Sequence, residues 1–255
     1  DPAVFRETHR LILRLVEEGK VTGLRLDHPD GLFDPPRYFQ TLQRERVGQV
    51  LRADVGLGIP TAGPDREEAV TRSLDRFDAT CPPDPAKRGC RPLYLLAEKI
   101  LARGERLPPH CAIHGTTGYE FLNLVGGLSV DRNNEKAMTA AYTAFTGQRT
   151  SFADLVYDSK QLILRVSMSS ELSVLGHALS RLAERNRHSR DFTLNSLTYA
   201  LHEVIACFPV YRTYIHGRGP EVALQDRACV EVAVAFAKRR NSATNVSIFD
   251  FVRDV

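Results

Sequence analysis

Residues Gly23-Leu24-Arg25-Leu26-Asp27-His28-Pro29-Asp30 put an arginine, two carboxylates and an imidazole at the end of a short apolar stretch. Val21 to Leu26 reads as a strand that stops at Pro29, and Asp30-Gly31 is a turn signal. At the carboxyl end of a parallel strand in a barrel, side chains face the catalytic mouth rather than the packed interior. A helix cap or an exposed turn is the plainer reading of a lone Asp, and this stretch alone does not separate the two.

A second segment has the same design. Arg91-Pro92-Leu93-Tyr94-Leu95-Leu96-Ala97-Glu98-Lys99-Ile100-Leu101 is an apolar run that ends in a carboxylate. A carboxyl group that follows four or five apolar residues is poorly solvated, which favours its neutral acid form. Asp27, two residues from Arg25, is expected to stay ionised. Two carboxyl groups in such different surroundings divide into proton donor and nucleophile. The competing reading has Glu98 opening an amphipathic helix, paired to Lys99 or Arg103, because short apolar runs fit either period.

These segments carry a family resemblance. Arg25-Leu26-Asp27-His28-Pro29-Asp30-Gly31-Leu32, then Ala97-Glu98-Lys99-Ile100-Leu101, then Gly115-Thr116-Thr117-Gly118-Tyr119-Glu120-Phe121, resemble in content and order the maltooligosyltrehalose synthase family of the α-amylase (β/α)8-barrel superfamily, glycoside hydrolase family 13. Val4-Phe5, His9 and Pro209-Val210-Tyr211-Arg212-Thr213-Tyr214 extend the resemblance over most of the chain, residues 44 to 90 excepted.

The resemblance implies that Asp27 is the nucleophile at the end of barrel strand four and Glu98 the general acid/base at the end of strand five. A retaining glycoside mechanism needs two carboxyl groups about 5 Å apart. Adjacent strands lie about 4.8 Å apart, so neighbouring strand ends can meet that need. Arg25 then orients Asp27 through a charge-assisted hydrogen bond. His28 and Asp30 are candidates for sugar hydroxyl contacts, and Lys99 is carried with them as a substrate-binding position.

In the family, the freed terminal glucose attacks the glycosyl-enzyme intermediate through its own anomeric hydroxyl. The reducing-end α-1,4 linkage of a maltooligosaccharide thereby becomes an α,α-1,1 linkage, and water must be kept out because hydrolysis competes. In the Gly115-to-Tyr119 loop the glycines admit a close backbone approach, Thr116 and Thr117 can bond hydroxyls, and Tyr119 offers a flat stacking face. The same loop can simply lead into a helix carrying Phe121, Leu122 and Leu124, and the two readings are compatible. Tyr211 and Arg212 are further sugar-contact candidates; packing within a helical layer explains them equally well.

The superfamily's third carboxylate, an Asp after a His, has no counterpart, since no His-Asp string occurs in the chain. The expectation is therefore an internal piece of a longer enzyme, inactive alone, whose sheet edges need the missing barrel segments or self-association to cover them. The expected fold is mainly α with a few short strands: a partial (β/α)8 barrel, strands four and five with flanking helices, plus an α-helical inserted domain. Residues 1–43 form the nucleophile segment, 44–90 an insertion with one helical pattern around Glu67 to Phe77, 91–125 the acid/base segment and 126–255 the helical domain.

Helical periodicity fills in the elements. A stripe from Val4 to Val16 ends at Gly19, and Asp34 before Pro35-Pro36 caps a helix through Tyr38, Phe39 and Leu42. Further patterns cover Asn133 to Phe145, Phe152 to Ala183 with a possible break at Ser167-Met168-Ser169-Ser170, Thr193 to Cys207 and Arg227 to Lys238. Pro209 to Ile215 reads as extended.

Composition narrows the function classes. With 34 basic and 31 acidic residues the net charge is +3, which implies no strongly charged partner. Arg181 to Arg190 and Lys238-Arg239-Arg240 are the densest basic stretches, but no aromatic residues interleave there, so nucleic-acid binding is not expected. No apolar run of about 18 residues suggests a membrane span. Five cysteines without close pairing suit a reducing cytoplasm. Cys81, Cys90, His110, Cys111 and His114 form a conceivable zinc set, yet their spacing matches no Cys-x2-Cys knuckle, so no metal is expected. The glycosidic chemistry requires no cofactor. A hydrolase or transferase of the same superfamily, and a helical carbohydrate-binding or scaffold module without chemistry, are the alternative functions.

Overall fold

The structure is a computed structural model, and it describes residues 1–53, 62–80, 91–108, 111–215, 222–242 and 245–255. The chain divides into two compact units, Asp1–Ser129 and Val130–Val255.

The first unit is built on a three-stranded parallel sheet: β1 (Gly23–Leu26), β2 (Tyr94–Ala97) and β3 (Gly115–Thr116), in the order β1-β2-β3. The register pairs Gly23 with Tyr94 and Leu26 with Ala97, then Leu96 with Gly115 and Ala97 with Thr116. Gly23 is required by this register, because a Cβ there would lie 2.8 Å from the Tyr94 ring. The ladder runs one step past β1, where the Glu98 amide donates to the Leu26 carbonyl at 2.8 Å.

α1 (Pro2–Glu17) and α2 (Pro35–Ala53) cover one face of this sheet. Asp1 caps α1 by accepting from the Ala3 amide, and the Asp34 carboxylate accepts from the Arg37 amide at the start of α2. Val16, Phe39 and Leu42 pack on Leu93, Leu95, Ala97, Cys111, Ala112 and Ile113. His9 stacks on Phe5 and shares a 2.8 Å hydrogen bond with the Tyr38 hydroxyl, which joins the two helices. Inside this apolar layer sits Gln43, whose carboxamide donates to the Leu93 and Ala112 carbonyls and accepts from the Leu93 amide. One side chain therefore closes the backbone bonds at the entrances of β2 and β3.

Two expectations change here. Residues 44–53, expected in a stretch with a single helical pattern around Glu67 to Phe77, are helical too, as the second half of α2, against which α3 (Pro64–Thr80) packs; Arg44 pairs with Asp75 and Asp78 across the two helices. Gly115-Thr116, expected as loop, is also a strand. The other expected features between 54 and 61 and between 81 and 90 lie outside the described residues. α4 (Tyr119–Gly127) follows β3 and leaves Phe121, Leu122 and Leu124 exposed.

The second unit is helical: α5 (Glu135–Thr146), α6 (Phe152–Val166), α7 (Ser169–Ala183), α8 (Leu194–Ala206), α9 (Leu224–Arg240) and α10 (Val246–Asp254). The long 152–183 pattern breaks at Ser167 and Met168. Leu197, Ala200 and Val204 of α8 form the middle of the core with Ala183, Ala233, Val234, Ala237, Ile248 and Phe249. Small residues bring helices close: a Cβ on Gly176 of α7 would sit 2.3 Å from Thr198 Oγ1. The Pro209–Ile215 segment carries neither helix nor strand. Among the described residues no helix is long and apolar enough to cross a membrane.

Candidate active site

Strand parity decides which side chains meet at the end of the sheet. Side chains alternate between faces, so Leu24 and Leu26 turn toward the helix-packed core while Arg25 and Asp27 share the opposite face. On β2, Leu95 and Ala97 are buried in the same core, which puts Glu98 on the Arg25 side. Asp27 and Glu98 each stand one residue beyond the last register pair, on adjacent parallel strands.

The Arg25 guanidinium connects them. Its Nη1 lies 2.9 Å from Asp27 Oδ1 and its Nη2 lies 3.8 Å from Glu98 Oε1. The two carboxylates differ in solvation, with side-chain exposures of 76% for Asp27 and 24% for Glu98. Glu98 does not sit in the apolar seat expected for it. Its Oε2 accepts from the His28 amide at 3.0 Å and its Oε1 from the Tyr119 hydroxyl at 3.4 Å. Arg25, Thr117, Gly118, Tyr119 and Leu122 line an open cavity of about 340 Å³ beside this pair.

Other expected contact residues have different occupations. Lys99 follows the same parity into the core, where its ammonium pairs with Asp30 at 3.0 Å and Glu105 at 2.9 Å and its side chain is 3% exposed. Lys99 and Asp30 are thus not open sugar-contact groups; their charges are used beneath the surface. Burial alone pulls the Lys99 ammonium down, but the hydrogen bonds and charges of Glu105 and Asp30 outweigh it, and its pKa ends above the usual lysine range. Glu105 was not anticipated at all. Strand parity, which puts a lysine on the core side and so demands a buried acid, is the signal that points to such a partner.

The Thr116 hydroxyl is committed to the Glu120 carboxylate at 2.7 and 2.9 Å. The Thr117 hydroxyl is buried without a partner, although the residue lines the cavity. The His28 ring lies over Gly31, close enough that a Cβ there would be 2.7 Å from it. Tyr211 and Arg212 belong to the second unit; Tyr211 is exposed, and the Arg212 guanidinium lies over the Tyr214 ring. Of the conceivable zinc donors, Cys81, Cys90 and His110 lie outside the described residues. Cys111 is buried and His114 Nδ1 accepts from the Leu95 amide. Among the described residues no three His, Cys, Asp or Glu side chains converge on a metal position.

Known proteins resemble the chain in sequence and in fold. Proteins of two strains of Mycobacterium tuberculosis, provisionally named maltooligosyl trehalose synthase, are 28% identical to the chain over 183 residues, 72% of its length. The solved maltooligosyltrehalose synthase of Arthrobacter ramosus superposes over 100% of the chain with a TM-score of 0.65 and 27% identity. The chain is similar to maltooligosyltrehalose synthases. A solved glycosyltrehalose synthase, DSM5389, covers 97% of the chain at a TM-score of 0.55 and 25% identity. The chain spans 18% of the length of the mycobacterial synthases and about a quarter of the solved ones, 25% and 26%. No family model matches it.

Proposed function

We propose that this chain carries the nucleophile and the acid/base of a maltooligosyltrehalose synthase, an enzyme that converts the reducing-end α-1,4 linkage of a maltooligosaccharide to an α,α-1,1 linkage. The observation that carries the proposal is the register: Asp27 and Glu98 occupy equivalent places past the ends of β1 and β2, on one face, with Arg25 between them. The synthases to which the chain is similar support the substrate class.

Each residue then has a task. The Asp27 carboxylate attacks the anomeric carbon while Glu98 protonates the departing glycosidic oxygen, leaving a glycosyl ester on Asp27. Glu98, now a carboxylate, takes the proton from the anomeric hydroxyl of the turned glucose, which attacks the ester and frees Asp27. Arg25 holds Asp27 oriented for in-line attack. Tyr119 and Thr117 line the space in which the released glucose is retained, and retention there favours isomerisation over hydrolysis. The three-stranded parallel sheet with α1 and α2 on its face corresponds, in this proposal, to part of a (β/α)8 barrel, and the remaining barrel supplies the third carboxylate.

Anomeric proton signals of a maltooligosaccharide, followed by NMR with the full-length protein and its Asp27→Asn variant, test the proposal. Loss of reducing-end signal without chain shortening, and only with Asp27 present, is expected. New reducing ends place the protein among the α-1,4-glucan hydrolases and overturn the isomerase reading.

A further inference from the structure

His28 is the one non-glycine residue, among those described, with a left-handed backbone: φ 43° and ψ 49°. A side chain is disfavoured there because its Cβ crowds the following carbonyl, so the conformation persists only where its surroundings impose it. Its geometric consequence is specific. The chain turns sharply after Asp27, and the His28 amide reaches across to β2 and donates to Glu98 Oε2 at 3.0 Å.

The same turn is held from below. Asp30, two residues on, is bound by Lys99, which is itself bound by Glu105, and the three side chains are almost wholly buried. Lys99 directly follows Glu98, so this ion triad ties the chain after β1 to the chain after β2 next to the amide that holds Glu98. Gly31 leaves the space that the His28 ring occupies. A buried triad of one cation and two carboxylates is costly to assemble, so its presence is weak evidence for a purely stabilising role. Strain and buried charge are thus concentrated on one short turn beside the two carboxylates.

We infer that the His28–Gly31 turn, clamped by Lys99, Asp30 and Glu105, is a positioning device: it aims the His28 amide at Glu98 and so sets that carboxyl group against Asp27. The inference rests on the two-carboxylate reading above. His28, Asp30, Lys99 and Glu105 act through Glu98; none of them reacts.

The test uses His28→Gly, His28→Asn and His28→Val in the full-length protein, with thermal unfolding measured beside each assay. All three lack the imidazole and differ in how readily the backbone turns left-handed, which glycine and asparagine do and valine does not. The valine variant is expected to show kcat about tenfold or more below the glycine variant, with KM within about twofold, since a misplaced acid/base slows chemistry without weakening binding. The limb of its pH–rate profile that reports Glu98 should shift, while the glycine variant's should not. Glu105→Gln, which keeps an acceptor for the Ala102 amide, should also lower kcat at constant KM. If the valine variant does not fold, Glu105→Gln decides: unchanged kcat and pH profile overturn the inference. Equal kcat across the His28 series overturns it too, and Asp27→Asn and Glu98→Gln separate the two claims. If those variants are inactive, the two-carboxylate reading survives the loss of the positioning role; if they are fully active, both fall.

Discussion

The Lys99 ammonium lies 3.0 Å from the Asp30 carboxylate, joining the segment after β1 to the segment after β2 with almost no exposure of either side chain. With Glu105 at 2.9 Å, the lysine neutralises one of two buried negative charges and hydrogen-bonds both. Replacement by Lys99→Met strands two buried carboxylates, and a loss of about 3–5 kcal/mol in unfolding free energy is expected. The raised pKa of Lys99 fixes the pH dependence. A cation raised in the folded state contributes stability that is fully present below the unfolded lysine value and is lost as pH rises through the folded one. The gap between wild type and Lys99→Met in denaturant titrations should therefore be full at neutral pH and shrink as the pH rises into the strongly alkaline range. A gap that stays constant across the alkaline range would show that the charge of Lys99 does not contribute.

Gln43 is expected to matter more than a leucine of its size. Gln43→Leu keeps the volume but leaves the Leu93 amide and the Leu93 and Ala112 carbonyls without their partners. At about 1–3 kcal/mol for each buried group left unsatisfied, the variant should lose about 3 kcal/mol or more. Urea unfolding reads this as a lower midpoint at constant slope. A midpoint equal to wild type would mean that water reaches those groups.

Cys111 should resist alkylation. Burial pushes its thiol up to about 12, and the Asp30 charge adds to the effect. At pH 8 its thiolate fraction is then on the order of one in ten thousand. Peptide mapping after brief iodoacetamide treatment should find Cys229, which is half-buried, labelled well before Cys111. Comparable labelling of the two would show that the core around Leu93 and Ile113 opens on the time scale of the reaction.

Much of the first unit was legible in the sequence because β1 and β2 are apolar runs that end abruptly in charge. β3 was not, because two residues, one of them glycine, carry no period to detect. The second half of α2 is not legible as helix for a related reason: its outward face is polar, and Gln43, the residue that ties it to the sheet, looks like a surface residue. The break between α6 and α7 was legible in the serines around Met168. At the site, Arg25, Asp27 and Glu98 come together as the strand ends require. Lys99 and Asp30 were placed in the sugar-contact set because they adjoin the reacting residues in sequence. In a strand, neighbours in sequence face opposite sides, and that alternation sends Lys99 to the core. Glu105 lies in an irregular stretch where no pattern announces burial.

The central claim is that Asp27 and Glu98 are the reacting pair, and covalent trapping tests it most directly. The full-length Glu98→Gln variant is incubated with a fluorinated maltooligosaccharyl fluoride, whose good leaving group allows ester formation without the acid and whose ring fluorine slows breakdown of the ester. Digestion and mass spectrometry should find the added glycosyl mass on the peptide that contains Asp27, at Asp27 itself. A glycosyl adduct at any other carboxylate, or turnover of the reagent with Asp27 unmodified, would contradict it.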